Sequence, residues 1–269
     1  MAEHTPTRSK LTILVPCGNE EKYIAGCLET AAWADELFVV MDAASTDRSE
    51  EIARRFTSRI VRHEYVNSAA QKNWAIPQCA HPWVLVLDAD ETITPELRAR
   101  IEDVLSRDGD GCDAFRIQRR SFFLGKRIRW CGWGRDSLVR LFRRDQGRYA
   151  DLRVHSDVQV DGPVGDIREY FFHNTMEDFS RYFRKSDRYT TWSAEDLQRR
   201  GKRAGVSSLV LRPVFRFLRM YVFQLGFLEG MRGLILCTLA AMSVFTKYAK
   251  LWDLQRRERD AAAKRDAGA

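Results

Sequence analysis

The sequence predicts an α/β protein: a parallel sheet covered by helices on both faces, followed by a helical C-terminal region. Short apolar runs alternate with segments of helical periodicity from Leu11 to Leu105, aspartates stand directly after two of those runs, and the chain beyond Met176 keeps helical spacing nearly to its end. Strand–helix alternation of this kind argues for parallel strands, because each crossover helix lies on a face of the sheet.

The run from Leu11 to Pro16 ends at a proline, as a buried strand does. Asn19 stands where a helix N-cap belongs, Glu20 and Glu21 favour the positive end of the helix dipole, and Tyr23, Ile24, Cys27, Leu28, Ala31 and Ala32 recur at helical spacing. A second strand, Leu37 to Met41, leads into Asp42, and Asp47 with Glu50 resembles a capping box ahead of Ile52, Ala53 and Phe56. The alternation repeats with a strand from Arg59 to Tyr65, a helix from Ala69 to Gln78 and a strand from Trp83 to Leu87. Thr94-Pro95-Glu96 places a capping threonine before a first-turn proline and opens a helix through Leu97, Ile101, Val104 and Leu105.

Between Ala114 and His173 the character changes. Strand-like runs (Ala114 to Ile117, Leu138 to Phe142, Val154 to Val160, Ile167 to Phe172) are separated by glycine-rich turns and extend the sheet. The helical region beyond Met176 is expected to break around Gly201 to Ser208 and to fray over Ala261 to Ala269.

Composition bounds the possibilities. With 269 residues, 45% hydrophobic and 30% charged, the chain can bury a core and is not wholly disordered. A net charge of +7 points to an anionic partner, whether nucleic acid, an anionic membrane face or a phosphate-rich small molecule. The six cysteines are scattered without a C-x-x-C pair, which predicts reduced thiols and no zinc site. The polar stretch Met1 to Lys10 does not read as a secretory signal. The longest uncharged run, Gly233 to Thr246, is shorter than the roughly 17–25 residues of a spanning helix, so no transmembrane segment is expected.

In open α/β sheets, ligands bind outside the carboxyl ends of the strands. Asp42 follows the second strand and Asp88-Ala89-Asp90 the fourth. One residue apart in an extended segment, the Asp88 and Asp90 carboxylates face the same way. Two such oxygen ligands suit Mg²⁺ or Mn²⁺ and a diphosphate. The bland alternative is a solvated acidic turn, against which stand the four apolar residues leading into Asp88.

Four segments in order, Pro16-Cys17-Gly18-Asn19-Glu20-Glu21, Val39-Val40-Met41-Asp42-Ala43-Ala44-Ser45-Thr46-Asp47, Gln71-Lys72-Asn73 and Leu87-Asp88-Ala89-Asp90-Glu91, resemble the signature of family 2 glycosyltransferases. Phe122-Phe123-Leu124-Gly125, Gly132-Trp133-Gly134, Arg140-Leu141-Phe142-Arg143-Arg144 and Val154-His155 extend the resemblance to the branch with bacterial lipopolysaccharide core β-glucosyltransferases. That resemblance implies a GT-A fold (a Rossmann-like nucleotide-sugar-binding sheet), a UDP-sugar donor, a divalent metal (Mg²⁺ or Mn²⁺) and inversion at the anomeric carbon. The GT-A domain is expected over 8–175, with a nucleotide-binding part at 8–110 and an acceptor part at 111–175, and the helical spacing and basic stripe beyond it predict a membrane-associating extension over 176–260. By resemblance, Asp42 receives the uracil N–H and Pro16 lies near the base. Lys72 either approaches the phosphates or base or is a solvated helix lysine. Asp88 and Asp90 hold the metal and the ribose–diphosphate, with Asp90 the more direct metal ligand.

Two departures from the family pattern stand out. Ala44 replaces the usual glycine, so the loop after Asp42 is expected to differ. Ser156 replaces the glutamate of a Val-His-Glu motif, a carboxylate suited to take the acceptor hydroxyl's proton. Asp157 and Asp136 are the candidates to replace it, although adjacent strand residues face opposite ways, which counts against Asp157. His155 reads as structural, and Trp130 and Trp133 either stack on a sugar or pack in the core.

Arg212, Arg216 and Arg219 form one helical stripe flanked by aromatics, as an interfacial helix on an anionic leaflet requires. The alternative is a helix packed on the catalytic domain with its arginines in water. The resulting expectation is a cytoplasmic enzyme, peripheral on the inner face of the cytoplasmic membrane, that moves glucose or another hexose onto a lipid-linked glycan acceptor. A non-catalytic nucleotide-sugar-binding or scaffold protein is the alternative that the lost glutamate supports. Nucleic-acid binding rests on charge alone and is not expected.

Overall fold

The computed structural model describes residues 8–134, 136–152, 157–176 and 178–267. They divide into two compact units, Met1–Phe122 with Arg135–Thr175, and Phe123–Gly134 with Met176–Ala269.

The first unit opens with the expected alternation: β1 (Leu11–Cys17), α1 (Ile24–Ala31), β2 (Glu36–Asp42), α2 (Ser49–Ala53), β3 (Ile60–His63), α3 (Ser68–Ala75), β4 (Trp83–Val86), β5 (Glu91–Ile93) and α4 (Pro95–Ser106). The strands β6 (Ala114–Phe123), β7 (Lys126–Arg127), β8 (Ser137–Arg143), β9 (Arg148–Tyr149), β10 (Val158–Gln159) and β11 (Val164–Met176) follow. The main sheet runs β3-β2-β1-β4-β8-β6-β11-β5. Its β3 to β4 half is parallel, whereas β8 pairs antiparallel with β4 and β6, and β11 antiparallel with β5. The sheet is therefore mixed, and β8, which follows β6 without a crossover helix, returns antiparallel to it. One expected sheet extension is corrected here, since β10 pairs with β9 in a separate two-stranded sheet. Residues 153–156, on which the rest of that expected strand and the motif with His155 and Ser156 fall, lie outside the described residues.

Strand alternation divides the core between the two faces of the sheet. Ile13, Val15, Val39 and Leu85 meet Ile24 and Leu28 of α1 and Leu97 and Ile101 of α4. Leu14, Phe38, Val40 and Val84 meet Ala69, Ala75 and Ile76 on the other face. Burial on both faces explains why these strands read as continuous apolar runs.

Thr94 caps α4 as expected, its hydroxyl accepting from the Leu97 N–H at 3.2 Å. Asn19 does not cap α1. It adopts a left-handed backbone (φ 56°), and its Oδ1 accepts from the N–H groups of Thr46 and Asp47 at 3.0 and 3.2 Å. Asparagine tolerates that conformation better than most residues, so one residue type serves as either cap or loop tie. Asp47 and Glu50 do not close a capping box either. Asp47 accepts from Ser49 and Glu21 N–H groups, while Glu50 turns to Arg54 and Arg62.

The second unit contains α5 (Phe179–Arg199), α6 (Val206–Leu218), a π-helical turn (Arg219–Phe223), a 3-10 turn (Gly226–Glu229) and α7 (Met231–Ala267). Asp178 caps α5 through the N–H groups of Ser180 and Arg181. Phe123, Ile128 and Cys131 share a core with Met220, Leu236, Cys237 and Leu239. The buried Glu229 carboxylate fixes the 123–134 segment by accepting from the Arg129 and Trp130 N–H groups at 2.7 and 3.1 Å. The expected fraying is corrected: α7 continues to Ala267, consistent with its alanine-rich end and the Lys264 and Arg265 that suit a helix C-terminus. Among the described residues one helix, Met231–Asp266, is long and apolar enough to cross a membrane by length and composition. The uninterrupted-run criterion missed it because the charges at Arg232 and Lys247 fall inside the helix.

Candidate active site

The turn after β4 places Asp88 at the carboxyl end of the parallel half-sheet. The Asp88 N–H donates to Glu91 Oε2 at 2.9 Å, and the Glu91 N–H returns to the Asp88 carbonyl at 2.9 Å. Both oxygens of the Asp88 carboxylate are engaged, Oδ1 by Lys72 Nζ at 2.8 Å and Oδ2 by Arg140 Nη2 at 2.6 Å. Arg140 also reaches Glu91 at 2.9 Å, Arg119 lies 4.0 Å from Glu91, and Arg119 Nε donates to Asp136 Oδ2 at 2.8 Å. Lys72 is therefore not a solvated helix lysine: it is buried, on α3, with its ammonium 5.0 Å from the Tyr149 ring centroid.

Burial alone would raise the Asp88 pKa, but Arg140 and Lys72 overcome it and hold the carboxylate well below its usual range. Lys72 is the mirror case, where burial opposes the charge and Asp88 outweighs it, leaving the ammonium above its ordinary value. For Glu91 burial wins over the attraction of Arg140 and raises the pKa. Arg140 Nε and the Tyr149 hydroxyl are buried with no hydrogen-bond partner among the described residues. Groups left this way inside a polar cluster mark a place where a ligand completes the bonding.

Asp90, two residues on, faces a different set. Its Oδ2 lies 3.6 Å from His173 Nε2, with both side chains 13% exposed. His173 Nδ1 sits 3.3 Å from the Ser121 hydroxyl and 3.0 Å from that of Thr175. The two hydroxyls accommodate either tautomer of the ring; in the one with Nδ1 protonated, Nε2 presents a lone pair on the Asp90 side. No group of three or more His, Cys, Asp or Glu side chains able to hold a metal occurs among the described residues. Asp90 and His173 nonetheless fit a hard divalent cation, because such ions complete their coordination with substrate phosphates and water.

At the end of β2, Asp42 Oδ1 accepts from the Ala44 N–H at 2.9 Å. Pro16 lies on the neighbouring strand, opposite Val40. A Cβ on Gly18 would stand 3.0 Å from the Asp42 Cβ, so glycine there lets the β1 loop lie against Asp42. Ala44 keeps a negative-φ backbone, and the loop needs no glycine at that position. Asp136 is part of the charge network, whereas Asp157 is exposed and pairs through its backbone carbonyl with the Ala150 N–H in the two-stranded sheet. In the helical unit Trp130 is 40% exposed, and Trp133 packs edge-on against Phe123.

Sequence reasoning missed Arg140, Glu91 and His173 as site residues. Arg140 carried no signal in the strand pattern: it is the extra residue of a bulge in β8, between Leu141 opposite Phe115 and Val139 opposite Arg116, so alternation along the strand does not place it.

Aspartates at the carboxyl ends of β2 and β4, above a parallel half-sheet, stand where open α/β sheets bind ligands. Residues 12–159 match the glycosyl transferase family 2 model, and the chain belongs to that family. Its α/β architecture is the GT-A fold. Over 259 residues it is 28% identical to the lipopolysaccharide core biosynthesis glycosyltransferase LpsC of Rhizobium meliloti, covering 89% of this chain and 93% of that one. An uncharacterized glycosyltransferase of Rickettsia typhi is 23% identical over 264 residues, with 94% and 90% covered. Among solved structures, the mannosyltransferase PcManGT of Pyrobaculum calidifontis, in complex with GDP-Man and Mn²⁺, aligns with a TM-score of 0.47 and 17% identity over 96% of this chain and 87% of that chain.

Proposed function

We propose that this glycosyltransferase is inverting and metal-dependent, moving glucose or another hexose from a UDP-sugar to a bacterial cell-surface glycan such as lipopolysaccharide core. It works as a peripheral protein on the cytoplasmic face of the inner membrane. The observation that carries the mechanism is Asp90 set 3.6 Å beside His173, next to an Asp88 whose two oxygens are held by Lys72 and Arg140. The three cations Lys72, Arg140 and Arg119 are already matched by Asp88, Glu91 and Asp136. An incoming diphosphate therefore adds negative charge to a network whose own cations are committed.

In this reading Asp90, joined by His173 in place of the Asp88 expected from the sequence, would hold Mg²⁺ or Mn²⁺, which would offset the charge that develops on the diphosphate as the glycosyl bond breaks. Asp42 accepts the uracil N–H, with Pro16 beside the base. Lys72 and Arg140 fix the Asp88 carboxylate toward the ribose–diphosphate. Asp136 is the favoured base, because Arg119 occupies Oδ2 and leaves Oδ1 for the acceptor hydroxyl's proton. Asp157 is the second candidate.

Asp136→Asn and Asp157→Asn separate these candidates. The base variant loses about 10²–10⁴-fold in turnover with UDP affinity little changed. If neither substitution slows transfer, the proton goes elsewhere. Retention of full UDP-sugar turnover in EDTA refutes metal dependence, and Mn²⁺-supported UDP binding without any turnover favours a non-catalytic binding protein instead.

A further inference from the structure

The helical unit carries a set of cations that the transfer chemistry does not use. At about 100° per residue, α6 presents three arcs. Leu209, Phe217 and the following Met220 face the helical core. Val210, Leu211, Val214, Phe215 and Leu218 lie on an opposite, exposed arc, with Phe215 62% exposed. Arg212 and Arg216 fall between the two. The exposed apolar surface continues through Val222, Phe223, Phe227 and Leu228.

Lys247 of α7 joins the arginines. The Arg212 guanidinium and the Lys247 ammonium lie 5.1 and 5.2 Å from the centroid of the same Tyr248 ring. Burial, and then Arg212 and Arg216, push the Lys247 pKa down, while burial and then Arg219 do the same to Arg216. No carboxylate is paired with Arg212, Arg216 or Lys247 among the described residues. Like charges gathered without a counter-ion repel one another and favour a bound anion. An apolar arc beside them selects the kind of anion, one presented at an acyl-chain boundary.

We propose that Arg212, Arg216 and Lys247 form a clamp for the phosphate of an anionic phospholipid, placed where the exposed arc of α6 enters the leaflet. The inference rests on the peripheral-membrane reading above and adds a defined headgroup site to it. A diffuse basic surface would respond only to the number of its charges; this clamp depends on these three side chains.

The test is co-sedimentation of the full chain with vesicles of phosphatidylcholine alone and of phosphatidylcholine doped with phosphatidylglycerol. Circular dichroism checks each variant for folding. Arg216→Gln with Lys247→Gln should weaken binding to the doped vesicles about thirty-fold, the loss of two cations near a charged leaflet, and leave binding to neutral vesicles unchanged. Arg200→Gln with Arg203→Gln, which removes the same charge elsewhere on the helical unit, should cost far less. Phe215→Ser with Leu218→Ser should weaken binding to both vesicle types.

Equal losses from the two charge-removing pairs overturn the clamp while leaving membrane association intact. Wild-type protein that pellets with neither vesicle overturns the membrane reading and the clamp together. If inorganic phosphate raises the melting temperature through Arg216 and Lys247 while the doped vesicles bind no better than neutral ones, the site holds a free anion and the lipid assignment is wrong.

Discussion

At the residue scale, Arg140 carries the most interlocked position in the site. It is almost fully buried and bridges Asp88 and Glu91, so its removal leaves two carboxylates facing each other without their shared cation. Breaking a buried ion pair from one side costs about 3–5 kcal/mol. Arg140→Met should therefore lower the melting temperature sharply, whereas Asp90→Asn should leave it nearly unchanged and remove Mn²⁺-dependent UDP affinity in calorimetry. Equal melting temperatures for the two variants would contradict the network. The acid limb offers a second check. The folded-state pKa of Asp88 is depressed, so its contribution is present above the unfolded value of about 3.9 and is lost as pH falls from there through the lower folded value. Asp88→Asn should flatten the fall in stability below about pH 4; an unchanged acid limb would mean Asp88 is not held as described. Asp88 and Asp90 were legible as a pair because they sit next to each other in the chain. Arg140 and His173 were not, since the first is 52 residues from Asp88 and the second reaches Asp90 only through the β5–β11 ladder.

At the element scale, the parallel half was readable because strands buried on both faces leave unbroken apolar runs between helical periodicities. The antiparallel half showed strands but not partners, since short runs with glycine turns fix no pairing order. The loops were read least well. Asn19 bonds across to the segment after β2, and no local pattern distinguishes that tie from a cap. Asn19→Ala removes the side-chain bonds from Thr46, Asp47 and Ser45 and places alanine at a left-handed angle, which should cost about 2 kcal/mol and weaken UDP binding through the loop after Asp42. Asn19→Gly, which keeps the backbone freedom, should cost less in a denaturant titration. Equal losses would assign the whole effect to the side-chain bonds.

At the scale of the whole molecule, the composition showed that the chain can bury a core, and the strand–helix alternation showed the class of fold. It did not show that residues 123–134 cluster with the C-terminal helices, because that depends on long-range bonds such as those of Glu229. Each unit has its own buried clusters. Separate cores predict unfolding that departs from a two-state transition, with UDP and Mn²⁺ raising mainly the step that belongs to the first unit. Scanning calorimetry decides this: one two-state transition that shifts as a whole would show the cores to be coupled.

The ends of the main sheet bear on behaviour at high concentration. A long, flat, open strand is a template on which another chain can polymerise. Here the terminal strands of the described order are Ile60–His63 and Glu91–Ile93. The first carries Arg62, held outward by Glu50, and in the second the Ile93 N–H is already donated to the Thr30 hydroxyl of α1. Both borders are short, so among the described residues neither end of this sheet offers a long row of open backbone groups on which a second chain could pair.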